Sequence, residues 1–178
     1  MKCLTYDESQ KWFASMGVRI DENRNLWFSK EQEKIMSTMP KRALTLNFFS
    51  ARLTDWLPVD FSRMLWLSSW ETYPPDQFIL FGKTRLGCGE SRTPIEAPGH
   101  LFESSTEEEN AILTGLIFLI MAFNWEGYIV AKNHKDYIYL GDEHVVFSSA
   151  DSNKMAEASK LISDHKLEII KDVKEAWK

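Results

Sequence analysis

The feature that most constrains the fold is an uncharged run of thirteen residues at 111–123 (AILTGLIFLIMAF). A helix that spans a membrane needs roughly twenty apolar residues, and acidic residues closely flank this run. Ser105-x-x-Glu108 has capping-box spacing just before it, and the acidic residues there favour the positive end of the helix dipole. The run therefore predicts a helix buried in the core of a soluble protein, not a membrane protein.

Three short runs of β-type residues follow this helix, at 128–131, 137–140 and 144–148. A polar turn joins the first two, and Gly141-Asp142-Glu143 joins the last two. Runs of this length separated by such turns are typical of an antiparallel meander. Further strands are predicted at 18–20, 26–28 and 64–67.

The other helices are predicted from capping residues and from apolar residues at helical spacing. They lie between Thr5 and Gly17, between Pro40 and Pro58, from Asp76 to Leu86, and from Asp151 or Ser152 through Ile162. Helical spacing continues through Ile169, Val173 and Trp177, so the carboxyl-terminal segment is also predicted to be helical. The stretch 87–99 is rich in glycine and proline and is predicted to be a loop.

This order of elements does not form a regular alternation of strands and helices. We therefore predict an α+β fold, in which helices pack on a mainly antiparallel sheet with a three-stranded meander near residues 128–148. The chain has 178 residues, close to the usual size of one domain, and contains no internal repeat or long linker. A single globular domain over 1–178 is the prediction.

The net charge of −5 is unevenly distributed along the chain. Residues 1–92 contain 13 Lys and Arg against 11 Asp and Glu, whereas residues 93–178 contain 8 against 15. No basic stripe is present, which argues against nucleic-acid binding. An acidic surface suits a protein partner, possibly a basic one, through electrostatic steering. The two cysteines form no disulfide framework, and with no signal peptide at the amino terminus we expect reduced thiols in the cytoplasm.

The sequence contains none of the common catalytic, metal or nucleotide motifs. It has no GxSxG, and its four histidines form no ligand pair at zinc-site spacing. A thiol nucleophile at Cys88 with His100 as base, and a metal at Asp142-Glu143-His144, are minor alternatives to a tight loop and a solvated turn. We expect no cofactor and no metal.

The segment from Arg85 to Phe102 is the best candidate for a functional loop, because loops on a rigid scaffold often carry function. Its charged or titratable residues are Arg85, Glu90, Arg92, Glu96 and His100. An arginine and a carboxylate in such a loop can bind a ligand, but they can equally hold the loop rigid. Both interpretations stay open from the sequence.

Several phrases are more specific than composition, and they are Leu65-Trp66-Leu67 with Trp70, Arg85 with Gly89-Glu90-x-Arg92, Glu96-Ala97-Pro98-Gly99-His100-Leu101-Phe102, Phe123-Asn124-Trp125-x-Gly127-Tyr128, and Asp142-Glu143. Their order resembles an uncharacterised family of small bacterial proteins with a W…R…GExR…PGHLF…WDxY…SHDE pattern. The resemblance covers roughly residues 60–150. Two positions depart from it: Glu126 replaces the aspartate of the WDxY element, and Leu140-Gly141 replace the serine and histidine of SHDE.

Small acidic α+β proteins of this kind are similar in class to the immunity proteins that neutralise bacterial toxins. We therefore predict a non-enzymatic protein-binding module, possibly an immunity-type inhibitor, with contacts from Trp125, Tyr128, Asp142 and Glu143. An alternative places Trp125 and Tyr128 in the core. Two other functions stay open: an unfamiliar enzyme using Glu90, Arg92 and His100, and a scaffold or regulatory subunit of an assembly. The sequence does not predict the oligomeric state.

Overall fold

The structure is a computed structural model that describes residues 1–28, 32–58, 60–69, 75–104, 106–132 and 136–170. In chain order its elements are β1 (Lys2–Leu4), α1 (Tyr6–Ala14), β2 (Val18–Ile20), β3 (Leu26–Phe28), β4 (Glu33–Thr38), α2 (Ala43–Trp56), β5 (Arg63–Leu67), α3 (Pro75–Leu86), β6 (Gly99–Phe102), α4 (Glu107–Ala122), β7 (Gly127–Ala131), β8 (Tyr137–Gly141), β9 (His144–Ser149), α5 (Ser152–Asp164) and β10 (Ile169–Ile170).

Eight of these strands form one sheet, in the order β1-β6-β5-β7-β8-β9-β4-β10. Every neighbouring pair in it is antiparallel, and β7, β8 and β9 form the predicted meander. Strands β2 and β3 pair separately as the predicted hairpin. The α+β class, with helices on a mainly antiparallel sheet, is confirmed.

Helices α2 to α5 cover one face of the large sheet. The predicted core helix is α4, and Leu116, Ile117 and Ile120 on it are fully buried. They pack with inward-facing strand residues such as Leu65 and Ile138 in the larger of two hydrophobic clusters. Burying each such side chain stabilises the fold by about 1.5–3 kcal/mol. No helix in the described ranges has both the length and the apolar character needed to cross a membrane.

Helix α1 and the β2–β3 hairpin cover part of the other face. The predicted capping box at Thr5 and Glu8 is present and starts α1. Phe13 on α1 packs edge-on against Trp66 of β5 with ring centroids 5.9 Å apart. Phe28 of β3 stacks on Tyr137 of β8 at 4.1 Å. This second cluster fixes where the hairpin lies relative to the sheet.

Three predictions about local structure are wrong. The supposed loop from Arg85 to Phe102 begins inside α3 and ends as β6, so only its middle is irregular. Strand β6 has four residues, too few for a clear alternation, and it forms because β1 and β5 pair on both its sides. Strands β1 and β4 have no counterpart in the sequence analysis.

The third error concerns the carboxyl-terminal segment and two helix starts. Lys166 has φ 54°, which ends the helical path after α5, and β10 then pairs with β4. Ile169 is therefore in a strand, while Val173 and Trp177 lie outside the described residues. Helix α4 is capped by the Thr106 side chain, one residue after the predicted position. Helix α3 begins at Pro75, so Asp76 lies in its first turn.

Candidate functional site

The eight residues that the sequence nominates occupy three separate places. Arg85, Glu90, Arg92 and His100 come together where α3 and the 87–98 segment meet the β1 edge of the sheet. The aromatic nominees are buried in the two hydrophobic clusters. The acidic nominees form an exposed turn between β8 and β9.

Glu90 and Arg92 form a closed pair at the surface of the first place. Arg92 Nη2 lies 2.7 Å from Glu90 Oε2, and Arg92 Nε and its backbone N–H donate to Oε1 at 2.9 and 2.8 Å. These bonds, chiefly those from the guanidinium, lower the pKa of Glu90 to about 2. Arg92 Nη2 also donates to the Cys3 carbonyl at 3.0 Å. The pair therefore fastens the 87–98 segment to β1.

Arg85 extends from α3 into the interior and is fully buried. Its Nη2 donates to the Ala97 carbonyl at 2.9 Å, while its Nε and Nη1 have no hydrogen-bond partner. The 87–98 segment is anchored from the other side as well, because the backbone N–H groups of Cys88 and Glu90 donate to the Arg85 carbonyl at 2.9 and 3.1 Å. Arg85 thus lies at the centre of the fastening.

His100 is also fully buried, on the face of β6 that points to α3. Phe81 meets its ring edge-on, with centroids 5.6 Å apart. Burial, and then the nearby positive charge of Arg85, lower the pKa of His100 to about 3, although backbone groups at Leu65 and Pro98 favour the protonated ring. His100 is therefore neutral at ordinary pH.

Cys3 is a member of this cluster that the sequence analysis did not single out. It is the cross-strand partner of His100 in the β1–β6 register. Burial raises the pKa of the Cys3 thiol despite the opposing effect of Arg85, so it is a thiol rather than a thiolate nucleophile. Its separation from His100 in sequence, with no predicted β1, hid the contact. The cluster is built to hold the segment in place more than to activate a nucleophile.

The aromatic nominees Trp125 and Tyr128 follow the core alternative. Trp125 is 2% exposed, and its indole N–H donates to Gln77 Oε1 at 3.2 Å. Tyr128 is 3% exposed in the cluster below the hairpin, where burial raises its pKa. Neither ring contributes to the molecular surface, so neither is available as a contact in this structure.

Asp142 and Glu143 are exposed, and both have positive φ, 51° and 63°. Two hydrogen bonds hold the turn against neighbouring elements. The Glu143 N–H donates to Asn124 Oδ1 at 3.0 Å, and the Met39 N–H donates to the Glu143 carbonyl at 2.8 Å. The acidic turn therefore lies at the end of the molecule where α4 ends and the chain enters α2.

Leu44 and Phe48 are two exposed apolar residues that the sequence analysis missed. They lie four residues apart on α2, and they are 70% and 60% exposed. The signal was present, because both fall on the side of the helix opposite the buried stripe of Leu46, Phe49 and Leu53. Apolar residues outside the buried stripe of an amphipathic helix are candidates for contact with another molecule.

Two open cavities lie elsewhere. One, of about 360 Å³, is lined by residues 22–25 of the β2–β3 turn, Ser68, Ser69 and Glu126. The other, of about 280 Å³, lies between α2 and α5 beside Trp56. Arg85 and His100 line neither cavity. Among the residues that the structure describes, no three His, Cys, Asp or Glu side chains converge as a metal site.

Comparison of the chain with protein-family models, with curated proteins and with solved structures finds no match in any of the three. The resemblance to the bacterial family pattern therefore stays a prediction.

Proposed function

We propose that this chain is a protein-binding module whose contact surface is centred on Leu44 and Phe48 of α2. The observation that carries the proposal is the exposure of these two side chains, 70% and 60%, on one face of one helix. At i and i+4 they form a continuous apolar ridge. Large aromatic and aliphatic side chains of this kind are the usual anchors of protein interfaces.

Charged groups surround this ridge. The acidic turn of Asp142 and Glu143 lies at the same end of the molecule, because Glu143 is bonded to Met39 just before α2. Exposed Lys41 and Arg42 immediately precede the helix. An apolar centre with charged groups of both signs suits a folded protein partner, and the net charge of −5 favours a basic one.

An immunity-type inhibitor of a bacterial toxin is one form of this module, supported by the family resemblance and by the acidic character of the chain. In that form the protein acts in a bacterial cytoplasm, which suits its free cysteines, Cys3 and Cys88. The enzymatic alternative at the 85–102 region has less support, because Glu90 and Arg92 bind each other and His100 is enclosed.

The test uses the tagged full-length chain and two glutamate variants of exposed apolar residues. Phe48→Glu introduces a charge into the proposed ridge, and Ile79→Glu introduces the same charge at a similarly exposed site (58%) on α3. Partners are purified from source cells and identified, and affinity for the purified partner is then measured by calorimetry. Thermal unfolding of all three proteins verifies that they are folded.

We expect the wild type and Ile79→Glu to retain one stoichiometric protein, and Phe48→Glu to bind it at least about 30-fold more weakly, as for a central contact residue. A partner that is toxic when expressed alone supports the immunity form. Equal binding by all three proteins refutes the surface. A monomer that retains no partner from its source cells refutes the module.

A further inference from the structure

Arg85 is a buried cation without an ion pair. Its side chain is fully buried, and its one hydrogen bond is the Nη2 contact with the Ala97 carbonyl at 2.9 Å. The two nearby carboxylates are bound elsewhere, Glu90 by Arg92 and Glu96 by Thr93. A desolvated guanidinium without a counter-charge costs several kcal/mol. The buried Nε and Nη1 donors require a partner that the chain does not supply.

His100 presents a second buried polar group at the same place. Both of its ring nitrogens are buried and neither has a well-directed hydrogen bond. A neutral histidine carries one N–H donor and one acceptor. The charge of Arg85 acts on both His100 and the Cys3 thiol, so the guanidinium lies close to both. The unpartnered groups of Arg85 and His100 thus converge under the 87–98 segment.

The other fully buried arginine shows how this differs from an ordinary buried cation. Arg63 Nη2 donates to Asn110 Oδ1 at 2.7 Å and to the Ser104 carbonyl at 3.3 Å. The negative charge of Glu109 lies close enough to oppose the lowering of the Arg63 pKa by burial. Arg85 has a single acceptor and no comparable unengaged carboxylate.

We propose that Arg85 and His100 form an internal binding site for a small monovalent anion of the size of chloride. The Nε–H and Nη1–H groups of Arg85 and the N–H of His100 would be its donors. An anion neutralises the buried charge and accepts from all three donors, whereas a water molecule satisfies the donors but leaves the charge uncompensated. The site does not depend on the proposed partner surface, which lies on α2.

The 87–98 segment covers this site, and the Arg92 bond to the Cys3 carbonyl keeps it closed. Because Arg85 and His100 have no exposed surface, the anion enters only when the segment lifts or the chain unfolds. The anion is thus a structural ligand that binds the folded state and not the unfolded chain. Its concentration should consequently change the unfolding equilibrium by mass action.

The experiment measures the unfolding equilibrium constant in urea while sodium chloride replaces sodium gluconate at constant ionic strength. Above the dissociation constant, a tenfold rise in chloride should lower the unfolding constant by up to tenfold in the wild type. Arg85→Gln should remove this dependence. Arg52→Gln, at an arginine whose side chain is 61% exposed, should retain it.

A wild-type unfolding constant that does not change with chloride overturns the proposal, as does an equal chloride dependence in Arg85→Gln. If that variant does not fold, anomalous diffraction from wild-type crystals grown in bromide decides the question. A bromide peak in contact with Arg85 and His100 supports the site, and ordered water alone at that place refutes it.

Discussion

The burial of His100 predicts a specific sensitivity to acid. Its pKa is about 3 in the folded chain, against 6.5 for an ordinary histidine. Because the folded-state pKa is the lower one, the unfolded chain binds the proton more readily, and stability is lost as pH falls below 6.5. Each pH unit costs about 1.4 kcal/mol while only the unfolded form is protonated. Between pH 6.5 and 4.5 the loss should be about 2–3 kcal/mol.

Urea unfolding at a series of pH values in chloride-free buffer measures this loss. The pKa of Glu90 is lowered to about 2, so its contribution is present above pH 4.5 and is lost only below that value. The window from 6.5 to 4.5 therefore isolates the histidines. His165, whose pKa burial also lowers, is only partly buried and titrates in both proteins when wild type is compared with His100→Gln.

The comparison concerns slopes and not absolute stabilities, since His100→Gln changes packing at every pH. We expect the free energy of unfolding of the wild type to fall more steeply than that of His100→Gln, by about 1.4 kcal/mol per pH unit. His165→Gln should keep most of the wild-type slope. Parallel curves for wild type and His100→Gln would refute the reasoning, because they would mean that the folded protein protonates His100 as easily as the unfolded chain.

Two further predictions concern backbone positions. Glu143→Gly should raise the free energy of unfolding by about 1 kcal/mol in thermal unfolding, because glycine adopts the φ of 63° without the steric penalty of a side chain; a loss of stability would contradict this. Gly127→Ala should lower it by about 1–3 kcal/mol, because a Cβ there would lie 2.8 Å from the Trp66 carbonyl oxygen, a backbone atom that cannot turn aside. Gly115→Ala on α4 meets nothing within 4 Å and should be neutral or stabilising, so an equal loss at both positions would refute the steric explanation.

Elements with strong local signals were predictable from the sequence. The capping box of Thr5 and Glu8, the uncharged run of α4 and the turns of the meander each contain enough information to define an element. Strand β4 (EKIMST) has two charges followed by mixed residues, and its partner β9 is more than a hundred residues away in sequence. Its formation depends on pairing that no local pattern specifies.

The candidate site was predictable in membership but not in character. The sequence grouped Arg85, Glu90, Arg92 and His100, and the structure places them together. Their burial depends on β6 and β1, which are too short to be recognised from alternation alone. For the same reason the sequence could not decide between a binding loop and a rigid one, since that choice rests on whether a strand lies beneath it.

The shortness of β1 suggests why a costly buried arginine is kept here. An edge strand of three residues has little apolar alternation to define its register, and a slip by one residue would exchange its two faces. Polar contacts define the register instead: Arg92 holds the Cys3 carbonyl at 3.0 Å, and the amino terminus forms an ion pair with Glu109 at 2.8 Å. Replacing Arg85 by an apolar residue would remove the cost of a buried charge, but also the bond to Ala97 that fastens the 87–98 segment over β1. Arg85 therefore favours one arrangement of the edge over its alternatives, at a cost in stability that a bound anion would offset.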